Sequence, residues 1–162
     1  MKFSAYCLSC ILALLLFACK EKTKTVNPDG SLDWYSIEEA GKLKNTESKL
    51  YMIDVYTDWC GWCKVMDRET FSNPVVIDYL NKNFIAVKFD AEQKTAIQFN
   101  GKTYNWQALG RNGINELALE LLNGQMSYPS IVYLDKDRNP ITVTKGFKNP
   151  EQFLEELKRI KG

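Results

Sequence analysis

Apolar residues along the chain cluster into short runs, which predict strands separated by helices. The runs LYMIDVY at 50–56 and FIAVKFD at 84–90 are rich in β-forming residues and predict two buried strands. Two more strands are predicted at 129–134 and 141–144, on either side of the polar turn DKDRNP. These four segments are expected to form the central sheet.

The intervening segments have the spacing of apolar residues that is typical of helices. The predicted helices are 32–44, 60–71, 74–81, 114–122 and 149–160. Ser72, Asn73 and Pro74 supply a cap and a first-turn proline to the third of them.

A small hairpin is predicted at 97–104, because Asn100-Gly101 stands between two short β-prone runs and both turn positions need positive φ. The order helix, β, α, β, hairpin, α, β, β, α predicts an α/β fold with a mixed sheet. We consider two interpretations of the hairpin and the following Tyr104-Asn105-Trp106: an edge that selects partners, or a neutral insertion.

The N-terminal residues predict export. An apolar run of about a dozen residues follows Lys2, which suits a secretory signal and is shorter than the roughly 20 residues of a transmembrane helix. The tetrad before and including Cys19, LFAC, resembles the bacterial lipobox, in which cleavage leaves a lipid-bearing N-terminal cysteine. We therefore expect a lipoprotein signal peptide at 1–18, a flexible tether at 19–31 and one domain at 32–162. The alternatives are an ordinary signal peptide and an uncleaved anchor.

The amino-acid composition excludes several kinds of catalytic and binding site. The 162 residues include no histidine, which excludes Ser-His-Asp and Cys-His catalysis and any histidine-ligated metal. With 21 basic and 20 acidic side chains, the net charge of +1 gives no field that would attract nucleic acid. No metal, nucleotide or flavin motif is present, so no cofactor is expected. After processing and lipidation, Cys60 and Cys63 would remain as the free thiols.

The segment at 59–64 carries the chemistry, with the sequence WCGWCK. It follows a predicted strand and opens a predicted helix, which places Cys60 at a helix N-terminus, where backbone N–H groups and the dipole favour a thiolate. Cys63 lies one turn further on, within reach to close a disulfide. We expect Cys60 to be an exposed nucleophile and Cys63 a buried resolving thiol. The alternatives are a structural disulfide and a copper(I) site that includes Met66.

The chain resembles the thioredoxin superfamily over residues 50–90 and 114–160. The resemblance is carried by Asp54 within the first strand, by the motif at 59–64, and by Tyr128-Pro129 before the strand IVYL, in that order. It is closest to a bacterial thioredoxin-like group with the same cysteine motif. The resemblance implies a thioredoxin-like fold: a central mixed β-sheet flanked by helices, to which the 97–104 hairpin is an addition.

The resemblance also implies roles for individual residues. Asp54 would lie behind the cysteines and assist proton transfer to and from the resolving thiol, with its pKa raised by burial. The alternative for Asp54 is a hydrogen-bonded carboxylate on the polar side of the strand. Pro129 would be the cis-proline of the site, or else a trans proline that starts a strand. The backbone of Tyr128 would pair with an extended substrate.

The remaining motif residues, Trp59, Gly61 and Trp62, would form the apolar surface that substrates contact. The predicted function is an exported, lipid-anchored and periplasm-facing thiol–disulfide oxidoreductase, monomeric, which reduces or exchanges protein disulfides. Its partners would be protein disulfides and a membrane electron donor. The alternatives are a net oxidant or isomerase, and a non-catalytic binding module with the same fold.

Overall fold

The computed structural model describes residues 30–44 and 48–162. The predicted signal peptide, Cys19 and all but the last two residues of the predicted tether lie outside the described residues. Within the described part of the chain, no helix is both long and apolar enough to cross a membrane. The elements in order are β1 (Trp34–Ser36), α1 (Ile37–Lys42), β2 (Leu50–Tyr56), α2 (Gly61–Glu69), α3 (Pro74–Asn83), β3 (Phe84–Asp90), β4 (Ile97–Phe99), β5 (Lys102–Tyr104), β6 (Trp106–Gln107), β7 (Ile114–Asn115), α4 (Glu116–Leu121), β8 (Ser130–Leu134), β9 (Pro140–Lys145) and α5 (Pro150–Lys161).

The central sheet has five strands in the order β1-β3-β2-β8-β9. β3 runs parallel to β1 and to β2, whereas β8 runs antiparallel to β2 and to β9. In the centre of the sheet, Asp54 of β2 lies opposite Lys88 of β3 and Ile131 of β8. The prediction of a central mixed sheet in an α/β fold is confirmed.

Helices cover both faces of this sheet. Successive side chains of each strand point to opposite faces, so the strands bury apolar residues on both. Ile53 and Val55 of β2 belong to an apolar cluster with buried residues of α1, α4 and the β4–β5 hairpin. Met52 belongs to the cluster on the other face, which contains Met66 of α2 and buried residues of α3 and α5. Asp54 shares the period of Met52 and therefore lies on the face that α2 covers.

The hairpin predicted at 97–104 is present. β4 and β5 pair antiparallel, and Asn100 and Gly101 have φ values of 49° and 75°, the positive values that the two-residue turn needs. It forms a separate two-stranded sheet, and its Ile97, Phe99 and Tyr104 are buried against the α1 side of the core. The hairpin therefore completes the core on that face.

Two predicted helices begin later than their apolar spacing indicates. The first is preceded by a strand, because residues 34–36 pair in parallel with Ala86–Lys88 at the sheet edge, and the Ser36 side chain then caps α1. The fourth begins at Glu116, because residues 114–115 pair with β6. Both differences come from pairings with distant residues, which local spacing does not contain.

The turn before β7 provides a test of close packing. Gly113 has φ +77°, and a Cβ built on it would lie 2.0 Å from the ring of Trp106, whereas Gly110, with φ +65°, has nothing within 4 Å of its Cβ position. We expect Gly110→Ala to lower the free energy of unfolding by about 1–2 kcal/mol, the cost of the left-handed backbone. Gly113→Ala should cost about 1–3 kcal/mol more because the ring must shift. Urea unfolding measures both free energies. Equal losses of stability in the two variants would show that the Trp106 ring moves aside without cost.

Candidate active site

Cys60 and Cys63 form a disulfide at the start of α2. Cys60 is the N-cap residue of this helix, and the backbone N–H of Cys63 donates a hydrogen bond to the Cys60 sulfur over 3.1 Å. The backbone N–H of Cys60 in turn donates to the carbonyl oxygen of Thr57 over 3.0 Å. In the reduced protein, the same helix N-terminus would stabilise a Cys60 thiolate.

The two cysteines do not differ in accessibility as the sequence predicted. Cys60 is 4% exposed and Cys63 is 3% exposed, so the expectation of an exposed first cysteine is wrong for the disulfide form. The reason is that the bond to Cys63 and the N–H···S contact hold the Cys60 sulfur against the first turn of the helix. Position at the helix start, and not exposure, distinguishes the two thiols.

Each tryptophan of the motif contacts an aromatic ring from another loop. Trp59 and Trp62 are 60% and 62% exposed, as expected of a contact surface. The ring of Trp59 stands edge-on to that of Tyr128, with centroids 5.8 Å apart. The ring of Trp62 lies 5.4 Å from that of Phe147. These contacts give the exposed indoles defined orientations on either side of Gly61 in the motif.

Trp59 is also held by a residue that the sequence analysis did not single out. Its indole N–H donates to Glu92 Oε1 over 2.7 Å, and the Asn112 side chain donates to the same oxygen over 3.1 Å. Glu92 comes just after β3, and no local motif marks it. The segment between β6 and β7 therefore contacts Glu92 through Asn112, whereas the 97–104 hairpin packs against the core.

The Tyr128–Pro129 peptide bond is cis, as the resemblance implied. Pro129 is buried immediately before β8, and its carbonyl oxygen accepts a hydrogen bond from the backbone N–H of Gly146 over 2.8 Å. Burial, together with the nearby charges of Glu92 and Asp90, raises the pKa of Tyr128 to about 12, so its ring stays neutral at physiological pH.

Asp54 is 1% exposed and lies on the sheet face that α2 covers. The Lys88 ammonium contacts its Oδ2 at 2.6 Å, while Oδ1 is buried and has no hydrogen-bond partner among residues 30–44 and 48–162. Burial raises the pKa of Asp54 to about 6, although the charge of Lys88 acts in the opposite direction. A carboxyl group with this pKa can both accept and release a proton near neutral pH.

The position of Asp54 bears on both interpretations from the sequence. The side chain is hydrogen-bonded, as in the alternative, but it points into the buried face and not to a polar side. The sequence alone assigns no role to Lys88, because local patterns do not give the register between the two strands. The parallel pairing of β2 with β3 sets Lys88 directly opposite Asp54.

Met66, the additional ligand of the alternative copper(I) site, is fully buried in the apolar core with Met52 and Phe71. In this position the Met66 side chain fills space in the apolar core, which is the usual role of a buried methionine. The geometry therefore favours redox chemistry of the cysteine pair over a three-sulfur site.

Comparison with known proteins agrees with this geometry. The family model Thioredox_DsbH, described as "Protein of unknown function, DUF255", matches residues 23–160. A solution structure of a thioredoxin from Thermus thermophilus superposes with a TM-score of 0.58 at 19% identity, and covers 80% of this chain and 87% of that one. The thioredoxin-like fold implied by the resemblance is confirmed.

Two longer proteins match most of the chain. An uncharacterized protein of Caenorhabditis elegans is 29% identical over 112 residues, which are 68% of this chain and 13% of that protein. The thiol:disulfide interchange protein DsbD of Vibrio vulnificus is 29% identical over 122 residues, 73% of this chain and 17% of DsbD. The chain thus spans less than a fifth of the length of either relative.

The buried carboxyl predicts a pH-dependent gain of stability in Asp54→Asn. Asp54 holds its proton more tightly in the folded than in the unfolded protein, so its contribution to stability is fully present below pH 3.8 and is lost as the pH rises through about 6. Relative to wild type, the variant should therefore gain up to about 3 kcal/mol between pH 3.5 and pH 8. Lys88 keeps Asp67 as a partner in the variant.

Urea unfolding at several pH values measures this difference. Asp78→Asn on α3 is the control, because Asp78 is exposed and its substitution should change stability by less than about 0.5 kcal/mol at each pH. A constant difference between Asp54→Asn and wild type across the range would mean that the buried carboxyl does not titrate with a raised pKa.

Proposed function

The chain belongs to the Thioredox_DsbH family, and from this premise we propose that it is a thiol–disulfide oxidoreductase that reduces or exchanges disulfides of other proteins through Cys60 and Cys63. One observation carries the proposal: a cysteine pair at a helix N-terminus, joined as a disulfide and flanked by exposed tryptophans. The helix N-terminus favours the thiolate, which is the species that attacks a disulfide in exchange.

The reaction begins with the reduced pair. The Cys60 thiolate attacks one sulfur of a substrate disulfide, which forms a mixed disulfide and releases the other substrate sulfur as a thiolate that takes up a proton. Cys63 then loses its proton and attacks the Cys60 sulfur, which frees the second substrate thiol and closes the Cys60–Cys63 disulfide. Two electrons pass from the pair to the substrate, and a membrane electron donor restores the dithiol.

Asp54 is the group that takes the proton of Cys63. Its carboxyl group is buried on the sheet face that α2 covers, and Cys63 is on that helix. Because its pKa lies at about 6, the carboxyl group is ionised at neutral pH but remains a strong enough base to accept the proton of a thiol. Lys88 limits how far the pKa rises.

The substrate docks as an extended segment beside the disulfide. The backbone of Tyr128, next to Pro129, pairs with that segment, and the exposed rings of Trp59 and Trp62 cover its apolar side chains. Gly61 leaves open space within the motif, since a Cβ at this position would meet no described atom within 4 Å.

The protein acts outside the cytoplasm as a monomer held to the bacterial membrane, facing the periplasm. The signal-like residues 1–18 and the lipobox ending at Cys19 support this location. The dozen tether residues that follow Cys19, at 20–31, span about 20 Å, which lets the site reach partners near the membrane. Two or more acyl chains hold a protein stably, whereas one chain alone binds a membrane only marginally.

The direction of net electron flow follows from the potential of the Cys60–Cys63 couple. We favour the reducing direction, for which a reduction potential of about −270 mV is expected, as in thioredoxin. A potential of about −120 mV would favour the net oxidant. The two residues between the cysteines, Gly61 and Trp62, influence this potential. Equilibration with glutathione or dithiothreitol buffers measures it.

Single substitutions in the pair test the activity. Cys60→Ser should lose at least about 100-fold of the rate of insulin reduction in dithiothreitol, because the attacking sulfur is gone. Cys63→Ser, the matched control, should still attack and should accumulate a mixed disulfide that is visible on a non-reducing gel. A Cys60→Ser protein as active as wild type would contradict the proposed enzymatic activity. The non-catalytic binding module would then be the better proposal.

The anchor is tested in cells. Cys19→Ala should give an unprocessed or soluble protein that takes up no labelled fatty acid, while its isolated domain still reduces disulfides. Wild type should carry the label and fractionate with membranes. Unlabelled wild-type protein found entirely in the soluble periplasmic fraction would show that the domain diffuses freely.

A further inference from the structure

One ammonium group bridges the sheet and the helix that carries the cysteines. Lys88 Nζ contacts Oδ2 of Asp54 at 2.6 Å and also forms an ion pair with Oδ1 of Asp67. Asp54 is on β2 and is buried, whereas Asp67 is on α2 and is half-exposed. Lys88 is therefore shared between a buried carboxyl group and one at the surface.

The position of Lys88 is fixed by its surroundings. Its Nζ lies 5.0 Å from the ring centroid of Trp34, 5.1 Å from that of Tyr56 and 5.3 Å from that of Phe71. Cation–π contacts on three rings, added to two ion pairs, restrict the ammonium group to the space between Asp54 and Asp67. Burial would lower the pKa of Lys88, but the two carboxylates outweigh this effect and raise it, so the group stays charged.

Asp67 also has a defined relation to the resolving cysteine. It follows Cys63 by four residues on α2, so both side chains lie on the same face of the helix, one turn apart. This face is turned toward the sheet, because Cys63 and Met66 are buried. The helix thus presents the Cys63 sulfur and a carboxylate to the side of the sheet where Asp54 and Lys88 lie.

We propose that Asp67 is a positioning residue of the thiol–disulfide site: by sharing Lys88, it weakens the neutralisation of Asp54 and keeps that buried carboxyl group able to accept the Cys63 proton. This inference rests on the proposed function, because it assigns Asp67 a part in the same proton transfer. Asp67 touches neither substrate nor the reacting sulfurs, and acts through Lys88.

Asp54 faces titratable groups from two other elements and from its own strand. These are Lys88 from β3, Asp67 from α2 and the phenol of Tyr56 on β2. A lysine paired with one buried aspartate would hold it ionised and make it a weak base, whereas a second carboxylate on the same lysine opposes this effect. The charge of Asp67 acts together with burial to raise the pKa of Asp54.

The test replaces Asp67 by Asn and compares it with a matched variant. Glu69→Gln removes one negative charge from the same helix, but Glu69 is exposed and pairs with Arg68 instead of Lys88. Asp67→Glu keeps the charge and should stay close to wild type. Carbon-13 NMR of the oxidised proteins follows the titration of the Asp54 carboxyl carbon, whose signal is assigned by its loss in Asp54→Asn.

In Asp67→Asn the midpoint of this titration should move to lower pH by about half a unit or more, a roughly threefold loss of proton affinity. Glu69→Gln should leave it in place. The pH dependence of insulin reduction should change in parallel: the inflection on the acid side moves to lower pH, and the plateau rate falls about twofold because Asp54 has become a weaker base.

The two measurements separate this inference from the proposed function. An Asp54 midpoint that stays in place or rises in Asp67→Asn overturns the role of Asp67, even if the enzyme is active. A lowered Asp54 midpoint with an unchanged pH–rate profile also overturns the role of Asp67. The effect of Asp67 on Asp54 would then not influence disulfide exchange. Failure of the proposed function would be seen separately, as equal activity of wild type and Cys60→Ser.

Discussion

The ion pair between Asp54 and Lys88 is the interaction on which the arrangement of this protein depends. A carboxylate at the centre of a sheet is costly to bury unless a charge compensates it. The parallel register of β2 with β3 places Lys88 directly opposite, and the ammonium then reaches α2 through Asp67. The same contacts that make the burial of Asp54 tolerable thus connect the sheet to the helix that bears Cys60 and Cys63.

β3 contributes to the site twice. Within the strand, Lys88 controls the buried carboxyl group behind the cysteines, and two residues beyond its end Glu92 accepts a hydrogen bond from the exposed Trp59. Asn112, between β6 and β7, donates a hydrogen bond to Glu92. The environment of Asp54 and the orientation of Trp59 therefore both depend on one strand, so a change of its register would disturb both.

The far end of α2 is also fixed. The hydroxyl group of Thr70, the C-cap residue, donates to the carbonyl oxygen of Lys148 over 2.6 Å, and Lys148 pairs with the buried Glu156 of α5. Glu156 in turn accepts hydrogen bonds from Tyr133 and Thr144. With Asp67 bound to Lys88 in its last turn and Thr70 bound at its C-cap, α2 presents the cysteine pair from a rigid support, which suits a site whose chemistry needs fixed sulfur geometry.

The sequence by itself determined the strands at 50–56 and 84–90, the hairpin turn at Asn100-Gly101 and the cysteine motif at a helix start, because each depends on residues close together in the chain. Tertiary structure decided what depends on distant partners: the edge strand before α1, the pairing of Lys88 with both Asp54 and Asp67, the hydrogen bond from Trp59 to Glu92, and the burial of Cys60. Strand register and helix placement bring those groups together, and neither is encoded in local periodicity.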